Sequence, residues 1–305
     1  MIIFFKFFLL FSFTIFSLGH IDVVLQYTMK TGRKNNVIFF YGQKAFTTKS
    51  EMITYLTRKF NYIPKTHLLL DLIDKDPQGV WKRRNKHNHF EKISGMSTEV
   101  HRCSTNVTLI YVYSYNRNVS YECNGNGFSS YSLAYENAKK LELYDKFIIP
   151  PSLLEWYARS TSIWKHIWMG CNYRCFSARN YEGLRYRTLK EINSYRKLNF
   201  KKGLKYNYYL ESDADTFAKK ISRTNPTSLC DTVSPYLMSG HISAPWGHLL
   251  VKRWYDEYKK YRPTGSKTVS KVTQHYQVLM NSQYRKVGVG IREKGNYIYI
   301  VLKFV

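Results

Sequence analysis

Trp254-Tyr255-Asp256-Glu257, followed downstream by Gln274-His275-Tyr276-Gln277-Val278-Leu279-Met280, is the stretch on which the fold of the C-terminal part turns. The first motif lies inside Trp246 to Tyr261, which reads as a helix. Working outward, Tyr206 to Ser222 places Leu210, Ala214, Phe217, Ala218 and Ile221 on one stripe, the pattern of a helix with a single buried face. Leu189 to Leu198 is amphipathic in the same way. Beyond the second motif, Val287 to Ile291 and Tyr297 to Phe304 read as strands joined by the turn Glu293-Lys294-Gly295-Asn296. Helices closed by a hairpin make the fold class α+β.

In order and spacing these segments resemble the CAP superfamily: the cysteine-rich secretory, antigen 5 and pathogenesis-related proteins, and in particular the venom-allergen-like proteins secreted by parasitic nematodes. Leu189 to Arg196 is similar to the family's opening helix, Trp254-Tyr255-Asp256-Glu257 to its Trp-Tyr-x-Glu motif, and Gln274 to Met280 to its Gly-His-Tyr-Thr-Gln motif. Gly288-Val289-Gly290 and Tyr299 to Phe304 are similar to the closing hairpin. The resemblance covers residues 183–305 and implies a three-layer α-β-α sandwich with a central cleft. In the family two His and two Glu line that cleft and can hold a divalent metal. Glu257 and His275 match by motif, whereas by spacing the second His falls on Cys230 and the second Glu on His241. Ile192 stands where the family often has His, Asn281 where Trp is common, and no cysteine-rich tail follows. The resemblance implies a binding module for sterols, lipids or protein partners, and the departures argue against cation-dependent activity.

As chemistry, Cys230, His241, Glu257 and His275 are all legitimate zinc ligands, and a thiolate with imidazoles favours zinc over calcium. Two readings follow. In one, substitution has converted the family's site into a zinc centre serving a hydrolase. In the other, favoured here, the cleft keeps its shape without its metal, because a metal site needs every ligand and their supporting partners together. No G-x-S-x-G, H-E-x-x-H or phosphate loop marks any other catalytic site.

The remaining sequence sets location and surroundings. Met1 to Gly19 carries Lys6, an apolar run from Phe7 to Leu18 and small residues at Ser17 and Gly19, the pattern of a signal peptide cleaved before His20. The run is short of the ~20 residues that span a bilayer, and no other segment reads as a membrane span. Secretion fits the two sequons, Asn106-Val107-Thr108 and Asn118-Val119-Ser120. It also fits disulfide use among five cysteines, an odd count that leaves at least one without a partner in the chain. Cys171 and Cys175 are spaced unlike a redox C-x-x-C, which points to a structural bridge.

The formal net charge of +26 attracts polyanions, and outside the cell those are acidic glycans or host surface rather than intracellular nucleic acid. The run Lys82-Arg83-Arg84-Asn85-Lys86 is a candidate polyanion patch within a segment that otherwise reads as a solvated loop, with His87 and His89 beside it. Residues 20–148 form a mixed α/β region. There Thr48-Lys49-Ser50-Glu51 has capping-box spacing ahead of a helix over Met52 to Phe60. A weak internal repeat shows in Val37 and Val119, each followed at the same distance by Phe46 and Phe128 and then by hydroxyl residues and a helix. Ile149-Pro150-Pro151-Ser152 opens a linker and a Trp-rich helix over 149–182, with Trp156, Trp164 and Trp168 near one face. The expected product is a secreted, non-enzymatic binding protein for an extracellular protein, a lipid or sterol, or an acidic glycan. The alternatives are a zinc-dependent hydrolase and a polyanion-binding protein.

Overall fold

A computed structural model describes residues 21–31, 36–75, 81–83, 89–102, 107–115, 118–147, 149, 154, 159–223, 232–260 and 273–305. The expected signal peptide, Asn106, Cys103, Trp156, Arg84, Lys86, His87 and Cys230 lie outside the described residues.

The N-terminal region is built on β1 (Ile21–Thr31), which runs parallel to both β4 (Leu68–Lys75) and β8 (Thr108–Tyr115). Its Val23-Val24-Leu25 core is fully buried, as a central parallel strand covered on both faces must be. Two units of the same order flank the sheet. In the first, β2 (Val37–Tyr41) and β3 (Lys44–Phe46) lead into α1 (Lys49–Lys59). In the second, β9 (Asn118–Cys123) and β10 (Asn126–Phe128) lead into α2 (Tyr131–Tyr144). Each helix starts on a hydroxyl N-cap. The Thr48 hydroxyl accepts the Glu51 N–H while the Glu51 carboxylate reaches back, a complete capping box, and Ser130 accepts the Leu133 N–H.

The basic segment departs from its expected loop. Trp81–Arg83 forms β5, antiparallel to β4 with Lys82 opposite Asp74, and His89 opens β6 (His89–Ser94), which pairs with β7 (Ser97–Arg102).

The C-terminal sheet has the order β11-β14-β15-β13-β12, comprising β11 (Lys205–Tyr206), β12 (Val233–Ser234), β13 (Leu237–Ser243), β14 (Lys286–Lys294) and β15 (Tyr297–Phe304). Between residues 159 and 280 the helices are α3 (Arg159–Trp168), α4 (Tyr173–Leu198), α5 (Tyr208–Ile221), α6 (Leu250–Asp256) and α7 (Gln274–Met280). One sheet face carries α5, with Ala214, Ala218 and Ile221 against Tyr299 and Val301. The contact is backbone to backbone: a Cβ on Gly288 or Gly290 would lie 2.1 Å from the Leu210 or Ala214 carbonyl carbon. The other face packs Met238, Ile298, Ile300 and Leu302 against residues of α4, α6 and α7. Helix, sheet and helix are the three layers of the expected sandwich.

The expected helix from Trp246 is not continuous over its described residues, 246–260. A 3-10 segment (Ala244–Leu249) precedes α6, and a 3-10 turn (Glu257–Lys260) follows it. Pro245 stands in the first turn and Gly247 lies so close to Ile298 that a Cβ would approach its side chain to 3.1 Å, so the chain enters tightly wound against the sheet. The expected helix over Leu153 to Met169 is seen from Arg159 onward, with Trp164 and Trp168 both buried.

Contacts between the two regions converge on Glu293 of β14. Its carboxylate takes Lys140 Nζ at 2.7 Å, the Tyr173 hydroxyl at 2.5 Å and the Tyr181 hydroxyl. Tyr181 ends a left-handed run, Arg179-Asn180-Tyr181, that breaks α4, and Asn126 Oδ1 receives the Asn180 N–H at 2.6 Å. Cys171 and Cys175 form a disulfide at the start of α4. Cys123 is a buried free thiol whose pKa burial pushes up to about 12, which leaves it unreactive. Among the described residues no helix is long and apolar enough to cross a membrane.

Candidate functional site

Glu257 and His275, far apart in sequence, meet. His275 Nδ1 lies 2.6 Å from Glu257 Oε1, and the Tyr276 N–H donates to Glu257 Oε2 at 3.1 Å. The carboxylate thus faces the first turn of α7, where unpaired backbone N–H groups favour negative charge. Trp254, one helical turn before Glu257, stacks on the His275 ring at 5.4 Å and 12°. With Nδ1 turned to the carboxylate, Nε2 is the free nitrogen. It is buried and has no partner among the described residues.

The opening helix fixes this arrangement. Arg196 of α4 is fully buried and donates to the Leu279 and Asn281 carbonyls at 2.7 and 3.0 Å, holding the C-terminal end of α7. Tyr195 stacks on Tyr255 at 4.0 Å and 6°, and Asn199 bridges the Tyr255 and Tyr276 hydroxyls at 2.9 and 3.3 Å.

Residues 189–304 match the family described as the Cysteine-rich secretory protein family, CAP. This part of the chain is a CAP domain. Residues 19–140 match a separate family described as a domain of unknown function (DUF7381). Among solved structures the chain is similar to the hookworm platelet inhibitor, at 18% identity over 41% of this chain and 69% of that one, with a TM-score of 0.32. Venom allergen-like protein 4 of Schistosoma mansoni is similar at 18% identity over 40% of this chain and 85% of that one, with a TM-score of 0.31. BmVAL-1 is similar at 16% identity, covering 39% and 75%, with a TM-score of 0.31. No curated protein matches the sequence.

The CAP resemblance implies a metal-binding set, and the described donors do not form one. His241 lies across the sheet from Glu257 and His275. It is paired with Tyr299 in the ladder and stacks on that ring at 5.8 Å, on the face covered by α5. Ile192 is fully buried in the core. Among the described residues no group of three His, Cys, Asp or Glu side chains comes together as a metal would require. Of the glycosylation candidates, Asn118 is exposed at the start of β9. The side chains of Lys82 and Arg83, like the whole of Arg84 and Lys86, lie outside what the structure describes.

Sequence reasoning missed a buried polar cluster behind the CAP cleft. Glu191, fully buried, accepts from Trp168 Nε1 at 2.8 Å and from the Tyr195 hydroxyl at 2.7 Å. Burial pushes its pKa up to about 8, against the lowering effect of those two hydrogen bonds and of Lys252. Nearby, Asp256 accepts from the Ser160 hydroxyl at 2.6 Å and pairs with the buried Lys252 ammonium. A serine, a lysine and a carboxylate in contact have the makings of a nucleophile and its base. Ser160 is fully buried, however, so no substrate carbonyl reaches it. The available signal was a glutamate on the buried stripe Leu184, Thr188, Glu191, Ile192 and Tyr195 of α4.

Proposed function

We propose that the chain is a secreted, non-enzymatic binding protein in which the CAP domain is a scaffold for recognising an extracellular partner. The carrying observation is the Glu257–His275 pair. Its carboxylate is committed to the imidazole and to the first turn of α7, and the three described donors of the implied metal set are divided between the two sheet faces. A base oriented by a carboxylate still needs a nucleophile or a metal-bound water to do hydrolytic work.

Among the partner classes, an acidic glycan has the most support. Lys44 and Lys59 share the ring of Tyr55, at 3.9 and 5.9 Å, and Lys59 also lies over Tyr41 and Phe60. Neither makes an ion pair among the described residues. Two like charges gathered on one ring without a carboxylate suit an external anion, and the net charge of +26 draws one in.

Assay of the purified mature chain, beginning at His20, against ester, peptide and glycan substrates tests the reading. The wild type is expected to show no turnover above that of His275→Ala. Hydrolysis abolished by that substitution would overturn the proposal.

A further inference from the structure

A cavity of about 340 Å³ opens between the two regions, and its walls come from four places. They are Tyr144 and Phe147 at the end of α2, Trp164 and Trp168 of α3, the turn at Cys171, and Trp246 with His248 on the 3-10 segment before α6. Three of these walls precede residue 189 and only the fourth, Trp246 with His248, lies within the CAP match.

Both indole N–H groups of α3 are committed elsewhere. Trp164 Nε1 donates to the His248 carbonyl at 2.8 Å and Trp168 Nε1 to Glu191 at 2.8 Å, so these rings are fixed and offer the cavity only hydrocarbon. His248 sits among the rings of Trp164, Trp168 and Phe176 at 5.3, 5.7 and 5.2 Å. It is 4% exposed, and its Nδ1 has no hydrogen-bond partner among the described residues. An imidazole left unpaired in an apolar wall is costly, and a ligand hydrogen bond to the ring would offset that cost. Burial also pushes the imidazole pKa down to about 3, so the ring is neutral at physiological pH and can accept or donate one hydrogen bond. Phe147 and Met169, 47% and 76% exposed, stand at the mouth.

We propose that this cavity binds a small neutral aromatic molecule of one or two rings carrying a single hydroxyl, which pairs with His248 while the aromatic walls stack on its rings. The size is that of a small-molecule site with a largely aromatic lining, whose polar members are His248, Asn172, Tyr144, Tyr173 and Lys165, an ammonium already engaged by a neighbouring group. Offset and edge-on ring contacts favour an aromatic body over a flexible chain. The lining contains no carboxylate, which disfavours a cation.

Equilibrium dialysis of the full mature chain with 1-naphthol and, separately, with naphthalene tests the assignment. Saturable one-to-one binding of 1-naphthol is expected, with naphthalene about tenfold weaker for want of one hydrogen bond. Trp246 is half-buried and Phe147 exposed, so Trp246→Leu and Phe147→Ala should fold with unchanged circular dichroism and lose at least about tenfold in affinity. His248→Phe keeps an aromatic ring at that position and removes both ring nitrogens, and should bring 1-naphthol down to the affinity of naphthalene. His275→Ala, in the CAP cleft, should leave binding unchanged. Absence of saturable binding would overturn the proposal, as would binding that survives the cavity variants or is lost in His275→Ala.

Discussion

Glu191 carries a pronounced pH dependence among the described residues. Its ordinary pKa of 4.5 rises to about 8 on folding, chiefly through burial. The protonated acid can donate a hydrogen bond to the Tyr195 hydroxyl oxygen, which then donates its own to the Ser160 carbonyl at 3.4 Å. A group whose folded pKa is raised contributes its stability below the unfolded pKa and loses it as pH climbs through the folded one. The melting temperature should therefore fall as pH rises from about 5 to about 8, and Glu191→Gln should flatten that slope and gain up to a few kcal/mol at the alkaline end. A slope that persists in Glu191→Gln would assign the effect to other groups. At this scale the sequence was legible where a motif fixes an angle and illegible where a strand register does. Glu257 and His275 are placed by helical motifs, and they meet. His241 was matched by spacing alone, and in a strand a shift of one residue moves a side chain to the opposite face. That is where its pairing with Tyr299 puts it.

At the scale of elements, the hairpin β14–β15 and helix α5 depend on Gly288 and Gly290. The sequence motif Gly288-Val289-Gly290 showed only a hairpin; its reason is the backbone of α5, which lies where a Cβ would be, 2.1 Å from the Ala214 carbonyl carbon at Gly290. Gly290→Ala must push the helix off the sheet, and we expect a loss of about 3 kcal/mol in urea unfolding. A loss below about 1 kcal/mol would mean that α5 can give way more easily than its contacts indicate. Helix starts were legible for a local reason, since the Thr48 cap and Glu51 act within one turn. The break of residues 246–260 into 3-10, α and 3-10 segments was not, because it answers to Ile298, fifty residues downstream. The strand at Trp81–Arg83 was likewise hidden by its charges, and only pairing with β4 reveals it.

Over the whole molecule, the N-terminal region and the CAP domain share a joint at Glu293 and an aromatic cavity beside it. The sequence announced two regions and a Trp-rich connection. It could not announce the joint, whose partners, Lys140, Tyr173 and Tyr181, are spread across the break between them. The central claim is that the CAP cleft serves as a scaffold and holds no working metal centre. Zinc titration into chelator-stripped, full-length mature protein, followed by melting temperature, tests it most directly, because a ligand bound only by the folded state raises stability by mass action. The account predicts a melting temperature unchanged within about 1 °C at equimolar zinc; a rise of several degrees that disappears in His275→Ala would contradict it.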